Sequence, residues 1–157
     1  MAEKVCHVFI SHRHEDDAEL KAMKDLLAKN GCSARDSSVN SSTPNDARDP
    51  DYIKAEILAP RIQWAGTVVV LISPGTHEST WVDWEIEYAN KLGKRIVGVW
   101  AHGAKDCDAP AALEEFASAV VGWQADRIID AIFGKINNWE TVSGETRAIR
   151  EIARYNC

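Results

Sequence analysis

The chain has 157 residues, of which 45% are apolar and 27% are charged, and its formal net charge is −6. That length fits one domain, and the apolar fraction excludes an intrinsically disordered chain. Acidic residues (24) outnumber basic ones (18) and no Lys or Arg block occurs, so we expect no nucleic-acid partner. The longest apolar run, residues 65–72, is too short to cross a bilayer, and the N-terminus has no signal-peptide layout. We therefore expect a cytoplasmic protein without a membrane partner.

The N-terminal part of the chain predicts a strand, a helix and a second strand. Residues 5–10 (Val-Cys-His-Val-Phe-Ile) have the β-rich composition of a strand. Residues 16–30 predict a helix that ends at Gly31. The apolar positions of this helix recur at the three-and-four spacing of one face: Leu20, Met23, Leu26 and Leu27. Residues 32–35 predict a weak second strand.

The remaining strands are predicted by apolar runs. Residues 67–73, 95–100 and 119–123 are apolar on both faces, which is typical of parallel strands covered by helices. The helices predicted around them cover residues 51–64, 79–92, 110–117 and 124–136. Strands that alternate with helices at this spacing predict an α/β fold with a five-stranded parallel sheet in a three-layer sandwich.

Two stretches depart from this alternation. Residues 36–50 form a polar loop, of a length that is often functional in compact domains, and a flexible insertion is the alternative. Residues 138–157 follow the last of these helices, and Ser143 can cap a further helix there. We therefore assign residues 1–137 to one domain and residues 138–157 to an extension whose helix packs on it.

Four cysteines bear on metal binding and redox state: Cys6, Cys32, Cys107 and Cys157. They lie far apart without a C-x-x-C pair, which argues against a zinc site, and we predict no bound metal. A chain of this length with this much core needs no disulfide staples, so we expect the thiols to be reduced.

Polar residues follow the predicted strands at the edge where open parallel sheets bind ligands. They are Ser11, His12 and Arg13, then Asp36, Ser37 and Ser38, then Ser73. The sequence has neither G-x-G-x-x-G nor G-x-x-x-x-G-K-[ST], so it supports no Rossmann or P-loop nucleotide site. Arg13 can reach a phosphate, although an Arg at such a place more often lies along the surface with its stem packed.

The most informative segment is the predicted helix around Glu85 (residues 81–89, Trp-Val-Asp-Trp-Glu-Ile-Glu-Tyr-Ala). Trp81 lies four residues before Glu85, and Tyr88 and Ala89 lie three and four residues after it, on the same helix face. A carboxyl group among such neighbours tends to have a raised pKa, and groups of this kind cluster at functional sites. A Glu at the helix edge that reaches water is the alternative, and spacing alone leaves both open. Trp81 itself can stack on a base or belong to the core.

Together these motifs resemble the TIR domain. The resemblance lies in Phe9-Ile10-Ser11-His12, Arg35-Asp36-Ser37, residues 70–74 (Val-Leu-Ile-Ser-Pro) and the Trp81-x-x-x-Glu85 element one helix later. It extends over about residues 5–135 and is nearest to the bacterial TIR-like branch that includes the TIR subunit of the Thoeris anti-phage system. His12 stands where the animal TIR pattern has Tyr. The resemblance implies a flavodoxin-like sheet with strand order 2-1-3-4-5.

The resemblance also implies an NAD-consuming enzyme, an NAD+ nucleosidase or ADP-ribosyl cyclase, with Glu85 as the catalytic residue. NAD is then the substrate, and no cofactor is expected. Substrate binding is predicted for residues at the strand ends and on the helix: Ser11, His12, Arg13, Asp36, Ser37, Ser38 and Trp81. In the Thoeris branch the product is a cyclic ADP-ribose isomer that signals to a separate effector protein. TIR domains also associate with one another, so the resemblance implies that a second copy of the chain can be a partner, in a homo-oligomer.

Two other functions stay open. A non-catalytic TIR module would act through TIR–TIR association with residues 36–50 as its interface, although Glu85 in its aromatic setting speaks against it. A nucleoside deoxyribosyltransferase-like N-glycosidase also uses a parallel sheet and a Glu, but it forms a covalent sugar adduct. An NAD consumption assay tests the first alternative, and a comparison of free nucleosides with NAD tests the second.

Overall fold

The computed structural model describes residues 6–12, 17–36, 58–73, 76, 80–101, 110–137, 139–140 and 146–147, and strands alternate with helices through them. The strands are β1 (His7–Ser11), β2 (Ser33–Asp36), β3 (Thr67–Ile72), β4 (Arg95–Trp100), β5 (Ala119–Val121), β6 (Trp139–Glu140) and β7 (Thr146–Arg147). The helices are α1 (Asp17–Lys29), α2 (Ala59–Trp64), α3 (Thr80–Lys91), α4 (Ala111–Phe116) and α5 (Ala125–Ile132).

The seven described strands join one sheet in the order β2-β1-β3-β4-β5-β6-β7. The first five are parallel and follow the order 2-1-3-4-5, which confirms the prediction of a flavodoxin-like α/β fold. Strand β6 pairs with β5 in parallel through Val120 and Trp139, and β7 returns antiparallel to it. Strands of two residues are too short to show periodicity, so the sequence analysis missed this extension. Ser143 lies outside the described residues, whereas residues 146–147, which a helix capped by Ser143 would include, form β7; the boundary at residue 137 stays a prediction.

The sheet supplies side chains to two separate cores, because alternate residues of a strand point to opposite faces. On one face, Val68, Val70 and Ile72 of β3 pack with apolar residues of α2, α3 and α4. On the other face, Val69 and Leu71 pack with apolar residues of α1 and α5. Since helices cover both faces, β3 is buried at every residue, which explains its continuous apolar run. The helices are the outer layers of the predicted sandwich.

The expectation of reduced cysteines is wrong for one pair. Cys6 and Cys32 form a disulfide, with 4.6 Å between their Cα atoms. They directly precede β1 and β2, whose register places His7 opposite Ser33 and so brings the preceding residues side by side. The two cysteines are distant in sequence, but neighbouring parallel strands begin together in space. The other two cysteines lie outside the described residues.

Candidate active site

Helix α3 places a carboxyl group at a core position. Val82, Ile86 and Ala89 are fully buried and belong to the core between the sheet and its helices. Glu85 lies three residues after the first of them and four before the last, so the helical period puts it on the same face. Its exposed fraction is 0%. Burial therefore removes water from a side chain that proteins almost never bury without a partner.

The C-terminal end of α3 explains how the chain turns back into the sheet. Gly93 has a positive φ of 73°, a conformation that glycine adopts readily. The Lys94 N–H donates to the Ala89 carbonyl at 2.9 Å, and the Gly93 N–H donates to the Asn90 carbonyl at 3.0 Å. These are the bonds of a Schellman-type helix end. The helix thus ends directly before β4, with its apolar face and Glu85 against the sheet.

Ser11 binds the buried carboxyl group. It is the last residue of β1, and its Oγ donates a hydrogen bond to Glu85 Oε1 at 2.7 Å. Both side chains are fully buried. Glu85 Oε2, by contrast, is buried without a hydrogen-bond partner among the described residues. A buried oxygen without a partner is costly, so a ligand hydroxyl group or cation that met this oxygen would gain a favourable contact.

The surroundings raise the pKa of Glu85 to about 8. Burial is the largest cause because it disfavours the charged form, and the negative charge of Asp36 adds to it. The Ser11 hydrogen bond and the positive charge of Arg61 lower the pKa and offset part of this effect. The carboxyl group is therefore mostly protonated at neutral pH, and a cation beside it would favour its ionisation.

A second acid, Asp36, ends strand β2 and is also buried, but its carboxylate has a cationic partner. Its carboxylate contacts Lys24 Nζ of α1, and His12 Nε2 lies 3.8 Å from its Oδ1. Arg61 Nη1 of α2 donates to its backbone carbonyl at 2.7 Å. Side chains from both flanking helices therefore hold the carboxyl end of β2.

The turn after β3 carries two hydroxyl groups that contact each other. Thr76 Oγ1 accepts a hydrogen bond from the Ser73 backbone N–H at 2.9 Å and lies 3.1 Å from Ser73 Oγ. Both residues are buried. These contacts shape the turn, and they give the Ser73 side chain a structural role that does not require it to be a nucleophile.

The aromatic residues of α3 divide between helix packing and the site. Trp84 and Tyr88 stack on each other, with 5.2 Å between their ring centroids. Gln63 Nε2 of α2 donates to the Tyr88 hydroxyl group at 2.7 Å, so this pair belongs to the contact between α2 and α3. Trp81 is half-buried one turn before Glu85 and packs against the same core. Of the three aromatic residues, Trp81 remains the candidate for a pocket wall.

Four of the predicted site residues come together in the structure: Ser11, His12, Asp36 and Glu85. Arg13, Ser37 and Ser38 lie outside the described residues, and their roles stay predictions. The sequence analysis missed Lys24 and Arg61, which lie in predicted helices where cations usually face solvent. The sequence shows only that each of these cations lies beside the apolar face of a helix that borders the strand ends. No sequence motif distinguishes them from other cations on helices.

The described ranges contain neither a metal cluster nor a membrane span. No three His, Cys, Asp or Glu side chains in them are placed to hold a metal ion. No helix in the same ranges is long and apolar enough to cross a bilayer.

Two solved structures align with this chain, and one of them shows the same fold. The TIR domain of the Toll-related receptor TRR-2 from Hydra magnipapillata aligns with a TM-score of 0.51 and 18% identity, over 82% of this chain and 91% of that chain. The CMP N-glycosidase BcmB from Clostridium botulinum aligns with a TM-score of 0.45 and 18% identity, over 62% of this chain and 74% of that chain. The first likeness shows the fold alone, and the second is too weak to carry an argument.

Sequence comparison gives a more specific result. No curated protein sequence matches the chain significantly. The sequence model of one family, described as "Thoeris protein ThsB, TIR-like domain", matches residues 9–106. That range is more than half of the chain, and it contains Ser11, Asp36 and Glu85. The chain therefore belongs to the ThsB TIR-like domain family.

Proposed function

We propose that this protein cleaves the nicotinamide–ribose bond of NAD, with Glu85 as the catalytic residue. The observation that supports this most is the buried Glu85 carboxyl group: Ser11 binds one oxygen, and the other has no partner in the described part of the chain. Ser11 ends a parallel strand, so the group lies at the edge where such sheets bind ligands. Membership of the ThsB TIR-like domain family points in the same direction.

One carboxylate is enough for this reaction. Glycosidases generally need two carboxyl groups, because their leaving group must be protonated. Nicotinamide in NAD is a pyridinium cation and leaves as a neutral molecule, so no general acid is needed. A carboxylate beside the ribose stabilises the positive charge that develops on the sugar. Glu85 suits this role, while the carboxylate of Asp36 already contacts Lys24 and His12.

The protonation state of Glu85 fits a cationic substrate. A pKa of about 8 leaves the group mostly neutral at pH 7 before substrate binds. The pyridinium ring of NAD favours the carboxylate, because an opposite charge nearby lowers the pKa of an acid. In this proposal the proton leaves to solvent when NAD binds, and the negative charge forms where the sugar cation develops.

The diphosphate of NAD is assigned to the region beyond the ends of β1 and β2. Arg13 and the backbone N–H groups of Ser37 and Ser38 follow those strands in sequence. Guanidinium and backbone N–H groups are the donors that commonly bind phosphate oxygens. His12 and Asp36, whose side chains lie 3.8 Å apart, are at the same strand ends.

We further propose a cyclic ADP-ribose isomer as the product and second messenger, read by a separate effector protein in Thoeris-type defence. A hydroxyl group or adenine nitrogen of the bound ADP-ribose has an effective concentration far above that of a diffusing nucleophile. Trp81, one turn from Glu85, is assigned to exclude water from the same place. TIR–TIR association into homo-oligomers belongs to this proposal.

Mass spectrometry of nucleotides after incubation of the purified protein with NAD tests the proposal. We expect nicotinamide and a cyclised ADP-ribose from the wild-type protein, and neither from E85Q. Free nucleosides in place of NAD test the N-glycosidase alternative, which a covalent sugar adduct on Glu85 would favour. A folded wild-type protein that leaves NAD intact would contradict the proposal and favour a non-catalytic TIR module.

A further inference from the structure

Arg61 connects the elements of the candidate site. It lies on α2, which packs against both β1 and α3, the elements that carry Ser11 and Glu85. Its Nη1 donates to the backbone carbonyl of Asp36 at 2.7 Å, at the point where β2 ends. Its positive charge also acts on the Glu85 carboxyl group. One side chain therefore holds the end of β2 and influences the buried acid.

The sequence of α2 explains why Arg61 reaches this position. Leu58 and Ile62 have exposed fractions of 1% and 0%, and both belong to the core under α2. Arg61 directly precedes Ile62 and is half-buried, at the edge of that apolar face. An Arg there can keep its stem against apolar neighbours and its guanidinium group at the strand ends.

We propose that Arg61 is a positioning residue of the NAD site, which fixes the carboxyl end of β2 beside the elements that carry Ser11 and Glu85. This inference rests on the proposed function. Burial and the charge of Asp36 raise the pKa of Glu85, and without the guanidinium group the Ser11 hydrogen bond would be left to lower it. Arg61 thus acts through Glu85 and not on the reacting atoms.

The described charged or titratable groups around this arrangement come from three helices and two strand ends. They are Asp36 of β2, His12 after β1, Lys24 of α1, Arg61 of α2, and Asp83 and Glu87 of α3. The carboxylate of Asp36 opposes ionisation of Glu85, and Lys24 contacts that carboxylate. Arg61 is the cation whose charge lowers the pKa of Glu85, so its removal should be measurable there.

The pH profile of NAD cleavage tests this role. The acid limb of kcat/KM should follow ionisation of Glu85, with a wild-type midpoint near its pKa of about 8. R61Q stays polar but loses the charge, and we expect it to move the midpoint to higher pH. The rate at pH 7 then falls, and the loss shrinks above both midpoints. R61K keeps the charge and should restore most of the wild-type profile.

Lys94, which lies between α3 and β4, offers a matched control because it also contacts α2. Its Nζ donates to the Gln63 carbonyl of α2, and its charge is not among the causes that shift the pKa of Glu85. K94M therefore removes a cation that holds α2, and the acid limb should stay where it is in the wild-type protein. R61M, which keeps the apolar stem, replaces R61Q if circular dichroism shows that R61Q does not fold.

Carbon NMR titration of the Glu85 carboxyl group, with E85Q to assign its signal, gives the same shift without substrate. A wild-type protein that leaves NAD intact would contradict the proposed function, while this titration still decides the role of Arg61. An upward shift in R61Q that R61K reverses supports the inference. An unchanged Glu85 titration in R61Q, or a rate loss of equal size at every pH, would overturn it.

Discussion

The carboxyl edge of the sheet holds two buried acids in contrasting surroundings. Asp36, at the end of β2, has Lys24 and His12 beside its carboxylate. Glu85, on α3, has one hydrogen bond from the neutral hydroxyl group of Ser11 and no salt bridge among the described residues. Asp36, the compensated acid, has a cation beside it and joins elements of the fold. Glu85, the uncompensated acid, has no salt bridge among those residues and is the one that could bind a cation.

The two environments have opposite energetic consequences. An ion-paired acid can stabilise a fold, and the removal of one partner leaves the other uncompensated. An acid whose pKa is raised by burial disfavours the folded state at pH values where the unfolded chain would ionise it. The pKa of about 8 at Glu85 shows that this position is not optimised for stability, which is common at functional sites.

The largest effect should come from neutralising the uncompensated acid. E85Q keeps the shape of the side chain but not its charge, so we expect NAD cleavage to fall by roughly 10²–10³-fold or more. Nicotinamide release, followed by chromatography, measures the loss. D83N and E87Q are controls on the same helix, since Asp83 and Glu87 lie off its fully buried face and should change little. Near-wild-type release by folded E85Q would remove Glu85 from the mechanism.

The second effect concerns stability and pH. The folded-state pKa of Glu85, about 8, lies above its ordinary value of 4.5, so the folded protein keeps a proton that the unfolded chain releases. This contribution is fully present below pH 4.5 and is lost as the pH rises to about 8. We expect E85Q to gain about 3 kcal/mol of unfolding free energy relative to wild type between about pH 5 and about pH 8. Denaturant unfolding of both proteins measures this, and a difference independent of pH would contradict the raised pKa.

A smaller loss should follow when the compensated acid is changed. D36N removes the carboxylate that Lys24 and His12 contact, and we expect it to lower the free energy of unfolding by about 2 kcal/mol. The Lys24 side chain is 43% exposed, so K24M should cost less, about 1 kcal/mol. Chemical denaturation compares the two variants. Because Asp36 opposes ionisation of Glu85, D36N should also move the acid limb of NAD cleavage to lower pH. Unchanged stability in D36N would contradict the inference that Asp36, unlike Glu85, stabilises the fold.

The smallest effect is expected at the pocket wall. W81A should admit water beside Glu85 and raise the share of linear ADP-ribose by about twofold to threefold. W84A is the matched control, because Trp84 stacks on Tyr88 and its loss should affect helix packing but not the product ratio. Chromatography against cyclic and linear standards gives the ratio. Mainly linear product from the wild-type protein would refute the cyclase proposal and leave a plain NAD glycohydrolase.

The strands and the buried acid were predictable because their signals are local. The strand ends predicted from β1 to β5 lie within two residues of the observed ones, since every run except the weak β2 is apolar and bounded by polar or turn residues. Glu85 shares a helix face with Val82, Ile86 and Ala89 through spacing alone, and the sequence shows that spacing. The burial of Glu85 could not be decided from the sequence, because a Glu at the edge of the same helix face would show a similar spacing.

Contacts between distant elements were not predictable in the same way. Arg61 contacts the end of β2 only because α2 borders that part of the sheet, and no sequence pattern within α2 predicts this contact. The Cys6–Cys32 disulfide was within reach, because strand order 2-1 makes β1 and β2 neighbours and each cysteine directly precedes its strand. Chain length did not indicate this disulfide, since a well-formed core does not prevent two cysteines that are adjacent in space from pairing.

The hydrogen bond from Ser11 to Glu85 joins residues that are 74 positions apart in the chain. During synthesis, the described elements α1, β2, α2 and β3 are all made after β1 and before the helix that carries Glu85, and closing so long a loop is a late step of folding. In a partly folded chain Glu85 would lie in water, without the hydroxyl group that binds it. The proposed NAD cleavage would then be restricted to molecules with a completed sheet, so unfinished chains would leave the cell's NAD untouched.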